Sequence, residues 1–146
     1  MSETLNYENQ AADGLSIAAI VPNGLALQSA AASVFNTTIG AASGAIPLPA
    51  LGTTYFLTKA GVAAMTLAAP TAGTPQAGQA GGQDGLVVRV ISTTAYAHTI
   101  TATGLLQTGS ASVNVATFAA YAGASVTLMA YNGKWITIAA TGTTFS

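Results

Sequence analysis

The tetrapeptide Tyr131-Asn132-Gly133-Lys134 constrains the fold more than any other feature of the chain. Asn-Gly supplies the two positive φ angles of a type I′ turn, whose twist matches that of two paired strands. Before the turn, Val126 and Leu128 alternate with Ser125 and Thr127. After it, Ile136 and Ile138 share one face, with Trp135 and Thr137 on the other. Period-two alternation on both sides of such a turn predicts a β-hairpin.

The same signal runs upstream to Thr53. Thr54-Tyr55-Phe56-Leu57-Thr58-Lys59, Val62 to Ala68, Leu86-Val87-Val88-Arg89-Val90-Ile91, His98-Thr99-Ile100-Thr101 and Val113 to Phe118 read as strands. Turn residues punctuate them about every 8 to 12 positions, the spacing of an all-β sandwich or barrel. The Leu86 run is apolar on both faces except at Arg89, which predicts a central strand covered on both sides. The expected fold is all-β: an antiparallel sandwich or jelly-roll-like barrel with an extended N-terminal arm.

Texture divides the chain into three. Residues 1–13 form a polar arm that holds three of the four acids. Residues 14–52 are an Ala/Gly/Pro-rich connecting region, within which Leu25 to Phe35 has the composition of three helical turns. Residues 53–146 are the β-domain. Gly, Pro, Asn, Gln and Thr interrupt the uncharged stretches too often for a run of ~20 apolar residues that would span a bilayer. The start Met1-Ser2-Glu3-Thr4 has no basic residue before Lys59 and does not read as a signal peptide. The chain is expected to be soluble and made without export.

Chemistry is sparse. The single His98 lacks a sequence-adjacent nucleophile or carboxylate, so the structural reading, a His bonded to a hydroxyl such as Thr99 or Thr101, outweighs catalysis. One His and no Cys cannot supply the four ligands of a structural zinc, although three copies of His98 on a three-fold axis would converge three imidazoles. An Arg in a core strand needs a partner, and Asp84 is the expected one for Arg89, within one subunit or across a subunit boundary. The run Ala77 to Gly85 precedes a strand and lacks the Lys-Ser/Thr ending of a phosphate loop, so no nucleotide site is expected. Tyr55, Phe56, Tyr96, Tyr121, Tyr131 and Trp135 are candidates for either a carbohydrate platform or ordinary packing. No enzyme activity, no cofactor and no metal are expected.

Composition matters at this point, because the exposed faces must be covered by something other than charge. Only seven of 146 residues are charged, against roughly a quarter in an ordinary soluble domain. Ala, Thr and Gly contribute 32, 21 and 16 residues, so small and hydroxyl side chains must form most of the surface. A net charge of −1 provides no electrostatic footprint for nucleic acid or an anionic membrane. Strand edges also lack the lysines that usually discourage edge-to-edge pairing. Such a sheet protein suits a surface covered by copies of itself or by a larger assembly.

Three strings carry a resemblance. They are Leu57 to Gly73 (LTKAGVAAMTLAAPTAG), Ile91 to Thr101 (ISTTAYAHTIT), preceded by Asp84-Gly85, and Val126 to Trp135 (VTLMAYNGKW). Together, over residues 55–138, the chain resembles small virion structural proteins of tailed bacteriophages, of the head decoration (cement) or head-fibre type. The resemblance implies a non-enzymatic virion protein on the capsid exterior, made in the host cytoplasm. It implies a homotrimer at local three-fold positions that clamps neighbouring subunits of the major capsid protein. Under that reading the arm is a candidate docking segment, with Leu5 and Tyr7 as apolar anchors and Glu3 and Glu8 facing basic capsid residues; a disordered terminus is the competing reading. The alternative function is a carbohydrate-binding or adhesin module of a phage fibre, which would rely on Trp135.

Overall fold

The hairpin read from Asn132-Gly133 is present in the computed structural model, which describes residues 37–73 and 82–146. Asn132 and Gly133 have φ of 48° and 74°, and Tyr131 faces Lys134 across the turn. The hairpin strands are the eighth and ninth of ten among the described residues. In chain order these are β1 (Thr37–Gly40), β2 (Gly44–Ala45), β3 (Thr53–Leu57), β4 (Ala64–Thr66), β5 (Val87–Ser92), β6 (Thr99–Thr108), β7 (Ala111–Phe118), β8 (Ser125–Tyr131), β9 (Lys134–Thr141) and β10 (Thr143–Phe145). No described residue is helical. The fold is all-β.

All ten strands belong to one sheet, ordered β1-β3-β5-β8-β9-β6-β4-β2, with β7 paired to β6 and β10 to β7. Up to β6 the chain alternates between the two ends of that order. Strands β1, β3 and β5 form one wing and run parallel; β2, β4 and β6 form the other and also run parallel. The β8–β9 hairpin joins the wings, antiparallel to β5 on one side and parallel to β6 on the other. The sheet is therefore mixed, where turn spacing had suggested antiparallel pairing throughout. The reason is that turns before β6 do not close hairpins. Each one carries the chain across to the other wing, and the next returns it to run beside its predecessor-but-one in the same direction.

Three short crossovers, residues 41–43, 58–63 and 93–98, make that shuttle possible. The first joins β1 to β2, which lie at opposite ends of the strand order. Four Cα steps reach at most roughly 14 Å, so the ends of the sheet come close and the sheet curls around its core. Residues 37–40 and 44–45, inside the stretch read from sequence as connecting, thus belong to the sheet. The helix expected over Leu25 to Phe35 lies outside the described residues.

Alternation places the core. On β3, Tyr55 and Leu57 point inward between half-buried Thr54 and Phe56; on β8, Val126, Leu128 and Ala130 do the same. Val88, Val90, Ile100, Leu106, Phe118, Met65 and Trp135 complete the interior. Burying a side chain such as Leu57 contributes roughly 1.5–3 kcal/mol. Strand β5 departs from expectation. Val88, Val90 and Ser92 are buried, but Val87 and Ile91 are only partly covered and Arg89 is exposed. One face of this central strand is covered, not two.

Strand β6 changes neighbours midway. Thr99–Thr101 pair with β4, and Leu106 and Gln107 pair with β9. Between them the register with β7 slips at a bulge. Gly104 supplies the bend with a φ of 66°, its N–H donates to Asn114 Oδ1 at 2.8 Å, and its carbonyl accepts from Lys134 Nζ at 2.6 Å. A bulge with a glycine at positive φ is a usual way to turn a strand from one partner to another.

Candidate functional site

His98 sits just before β6, at the end of the 93–98 crossover, and is 0% exposed. The N–H of Ala63 donates to its Nδ1 at 2.9 Å, and its Nε2 lies 2.9 Å from Thr94 Oγ1. A backbone N–H can only donate, so Nδ1 must accept, which places the ring proton on Nε2. Nε2–H then donates to Thr94 Oγ1, and the Thr94 hydroxyl donates onward to the Lys59 carbonyl at 3.2 Å. Burial, and secondarily the Lys59 cation, hold the imidazole below its ordinary pKa. The expected hydroxyl partner is there, but it is Thr94 rather than Thr99 or Thr101.

The same corner continues to the first crossover. Lys59 Nζ donates to Ser43 Oγ at 3.0 Å and to the Val62 carbonyl at 2.9 Å, while Ser43 Oγ also accepts from the Ala64 N–H at 3.0 Å. Ser43, the Lys59–Ala63 segment and the Thr94–His98 segment thus link all three crossovers in one polar ladder. Both imidazole nitrogens are committed within one chain and shielded from solvent. Convergence of three His98 side chains on an ion is therefore ruled out in this arrangement, because the ring neither reaches the surface nor has a free lone pair. Among the described residues no group of three His, Cys, Asp or Glu side chains could hold a metal.

Asp84 forms a second clamp, beside the hairpin. Its Oδ1 accepts from the Asn132 N–H at 2.8 Å and its Oδ2 from the Gly73 N–H at 3.2 Å. Gln83 adds a reciprocal pair with Thr71, at 2.9 Å through its N–H and 2.8 Å through Oε1. Within the chain the expected Arg89–Asp84 pair is not formed. Arg89 lies on the outer face of β5, where solvent stabilises the guanidinium, and the carboxylate is taken by two backbone amides. An open groove of about 570 Å³ adjoins this clamp, with Leu48, Leu51 and Leu86 among its walls.

Four charged side chains fall in the described residues, and three are consumed internally. Lys59 ties the crossovers, Lys134 caps the Gly104 carbonyl, and Asp84 holds the hairpin turn. Arg89 is the one turned outward without such a tether among the described residues. The outer surface is instead Thr, Ser, Ala and Gly, with large apolar side chains exposed, including Ile39 at 70% and Leu51 at 81%. Of the aromatic candidates, Tyr55 and Trp135 are buried and Tyr96, Tyr121 and Tyr131 are about half exposed. Trp135, 0% exposed with its indole N–H on the Ala68 carbonyl at 2.8 Å, cannot be a carbohydrate platform. Of the two readings held for Trp135, platform or packing, packing is the outcome: its indole N–H is tied to the segment that follows β4. The arm candidates Glu3, Leu5, Tyr7 and Glu8 lie outside the described residues.

Sequence reasoning missed Ser43, Lys59 and Thr94 as partners of the His98 corner, and Asn114 and Lys134 as partners of Gly104. Hydrogen-bond separations of 16 to 35 residues leave no local pattern for the longer links. The only mark of the two lysines in the sequence was scarcity, Lys59 and Lys134 being two of its three cations. No protein-family model matches the chain, and no curated protein matches it.

Proposed function

We propose that this chain is a non-enzymatic virion structural protein that decorates or stabilises a phage capsid as an oligomer, a homotrimer by the family resemblance. The observation that carries the reading is the surface. An ordinary free domain keeps itself apart from its neighbours with many exposed charges of both signs, and among the described residues this one spends three of its four charged side chains on internal bonds. What is left outside is small, hydroxyl-rich and apolar, which suits close contact with other subunits at little desolvation cost. The resemblance of the three strings to phage head decoration and head-fibre proteins is what suggests the shell as the assembly concerned.

Its action would be mass action. A protein that binds the assembled shell, and not the dissociated subunits, shifts the equilibrium toward the shell. The arm of residues 1–13 is the proposed docking segment, with Leu5 and Tyr7 as anchors and Glu3 and Glu8 toward basic capsid residues. The test is co-sedimentation of the purified protein with expanded capsids that lack it. Saturable binding, weakened by deletion of residues 1–13, is the expected result. Failure to co-sediment at any concentration would overturn the capsid reading, and full binding by the deletion variant would overturn the arm's role.

A further inference from the structure

The His98 corner holds a titratable group that the assembly reading does not use. A fully buried imidazole sits at the meeting of two crossovers that each present a large, half-exposed apolar side chain: Val62 on 58–63 and Tyr96 on 93–98. The Ala63 N–H, one residue from Val62, is the donor to Nδ1, and the Tyr96 ring lies 6.4 Å from the His98 ring. The geometry points to His98 as an acid-sensitive latch: while neutral it ties the β3–β4 crossover to the β5–β6 crossover at Ala63, and when protonated it gives up that tie and loosens the corner.

The chemistry of the release follows from the donors. Protonation puts a hydrogen on Nδ1, which then faces the Ala63 N–H donor-to-donor, so that bond is lost, while the Thr94 hydroxyl to the Lys59 carbonyl and the Thr99 N–H to the Ala63 carbonyl remain. The new charge would also be buried, and an uncompensated buried charge is costly. The groups around the ring offer no relief. From the 58–63 crossover comes Lys59, a cation that opposes a second positive charge. From its own crossover come Tyr96, a tilted ring, and Thr94, whose hydroxyl is already engaged with Nε2 and the Lys59 carbonyl. From β7, the Phe118 N–H donates to the His98 carbonyl at 2.8 Å and carries no charge. Among the described residues no carboxylate contributes to the imidazole's shift, so acid has no ion pair to form there.

The sign is fixed by linkage. The folded-state pKa lies below the ordinary 6.5, so the unfolded chain takes up the proton first as pH falls. The latch's contribution is fully present above the unfolded value. It is lost progressively as pH falls from there through the folded value. Opening of the corner would loosen the tip that bears Val62 and Tyr96 and leave the β8–β9 hairpin, held by Asp84, in place. This device is independent of the capsid reading: it acts within one chain whatever that chain binds.

The experiment is an NMR titration of the single imidazole in the full chain, together with melting curves at several pH values for the wild type and His98→Asn. Asn retains an acceptor near the Nδ1 position and does not titrate. The expected result is a neutral Nε2–H tautomer that persists below pH 6.5, amide exchange at Ala63 that accelerates as the ring protonates, and a melting temperature that falls with acid more in the wild type than in His98→Asn. A His98 that titrates at its ordinary value in the folded protein, or an Ala63 amide indifferent to that titration, would overturn the proposal. If His98→Asn fails to fold, the wild-type titration and Ala63 exchange decide the matter without it.

Discussion

Asp84 and Arg89 show how differently two residues of opposite charge can be used five positions apart. The carboxylate accepts two backbone N–H groups from segments distant in sequence, at Gly73 and Asn132. The guanidinium stands on an exposed strand face. Hydrogen bonds to charged groups contribute about 1.5–3 kcal/mol when well shielded, and Asp84 is only half-buried. Asp84→Ala is therefore expected to lower stability by about 1–2 kcal/mol in denaturant unfolding, and Arg89→Ala to stay within about 0.5 kcal/mol. The two changes should be additive. Equal losses with a coupling between them would restore the ion pair that charge and proximity in sequence had suggested.

At the scale of elements, the hairpin rests on backbone geometry that only a few residues accept. Gly133→Val places a β-branched side chain at a φ of 74°, and a loss of about 1–3 kcal/mol is expected in thermal or chemical unfolding. Trp135→Ala should cost about 3–5 kcal/mol, since it empties a fully buried site and orphans the Ala68 carbonyl. An unchanged melting temperature for Gly133→Val would contradict the turn, and a neutral Trp135→Ala would contradict its burial. The elements with local signals were legible from the residues: Asn132-Gly133 marked the turn, and alternation marked β3 and β8. Pairing was not. Nothing between Leu57 and Ala64 tells a crossover from a hairpin, because both need a few turn residues and differ only in where the next strand lands. Arg89 misled for a related reason, since Val87 and Ile91 on a half-covered outer face look the same in sequence as residues on a buried one.

For the whole molecule, the relevant quantity is what the sheet presents outward. Curling brings the two wings together around one core, and among the described residues the outward-facing side chains are mostly small and uncharged, with Arg89 the charged exception. The scarcity of charge was visible in the composition, while the internal use of Lys59, Lys134 and Asp84 needed the fold, because their partners come from other segments of the chain. The residues proposed for docking, Glu3, Leu5, Tyr7 and Glu8, are accessible to the same capsid assay as the arm deletion, in which Leu5→Asp with Tyr7→Asp should weaken binding without altering the melting temperature. Self-assembly is the central claim, and the mass of the purified protein by light scattering after size exclusion tests it most directly. The account predicts a stable species of three times the chain's 14.3 kDa; a monomer that persists at every concentration would contradict it.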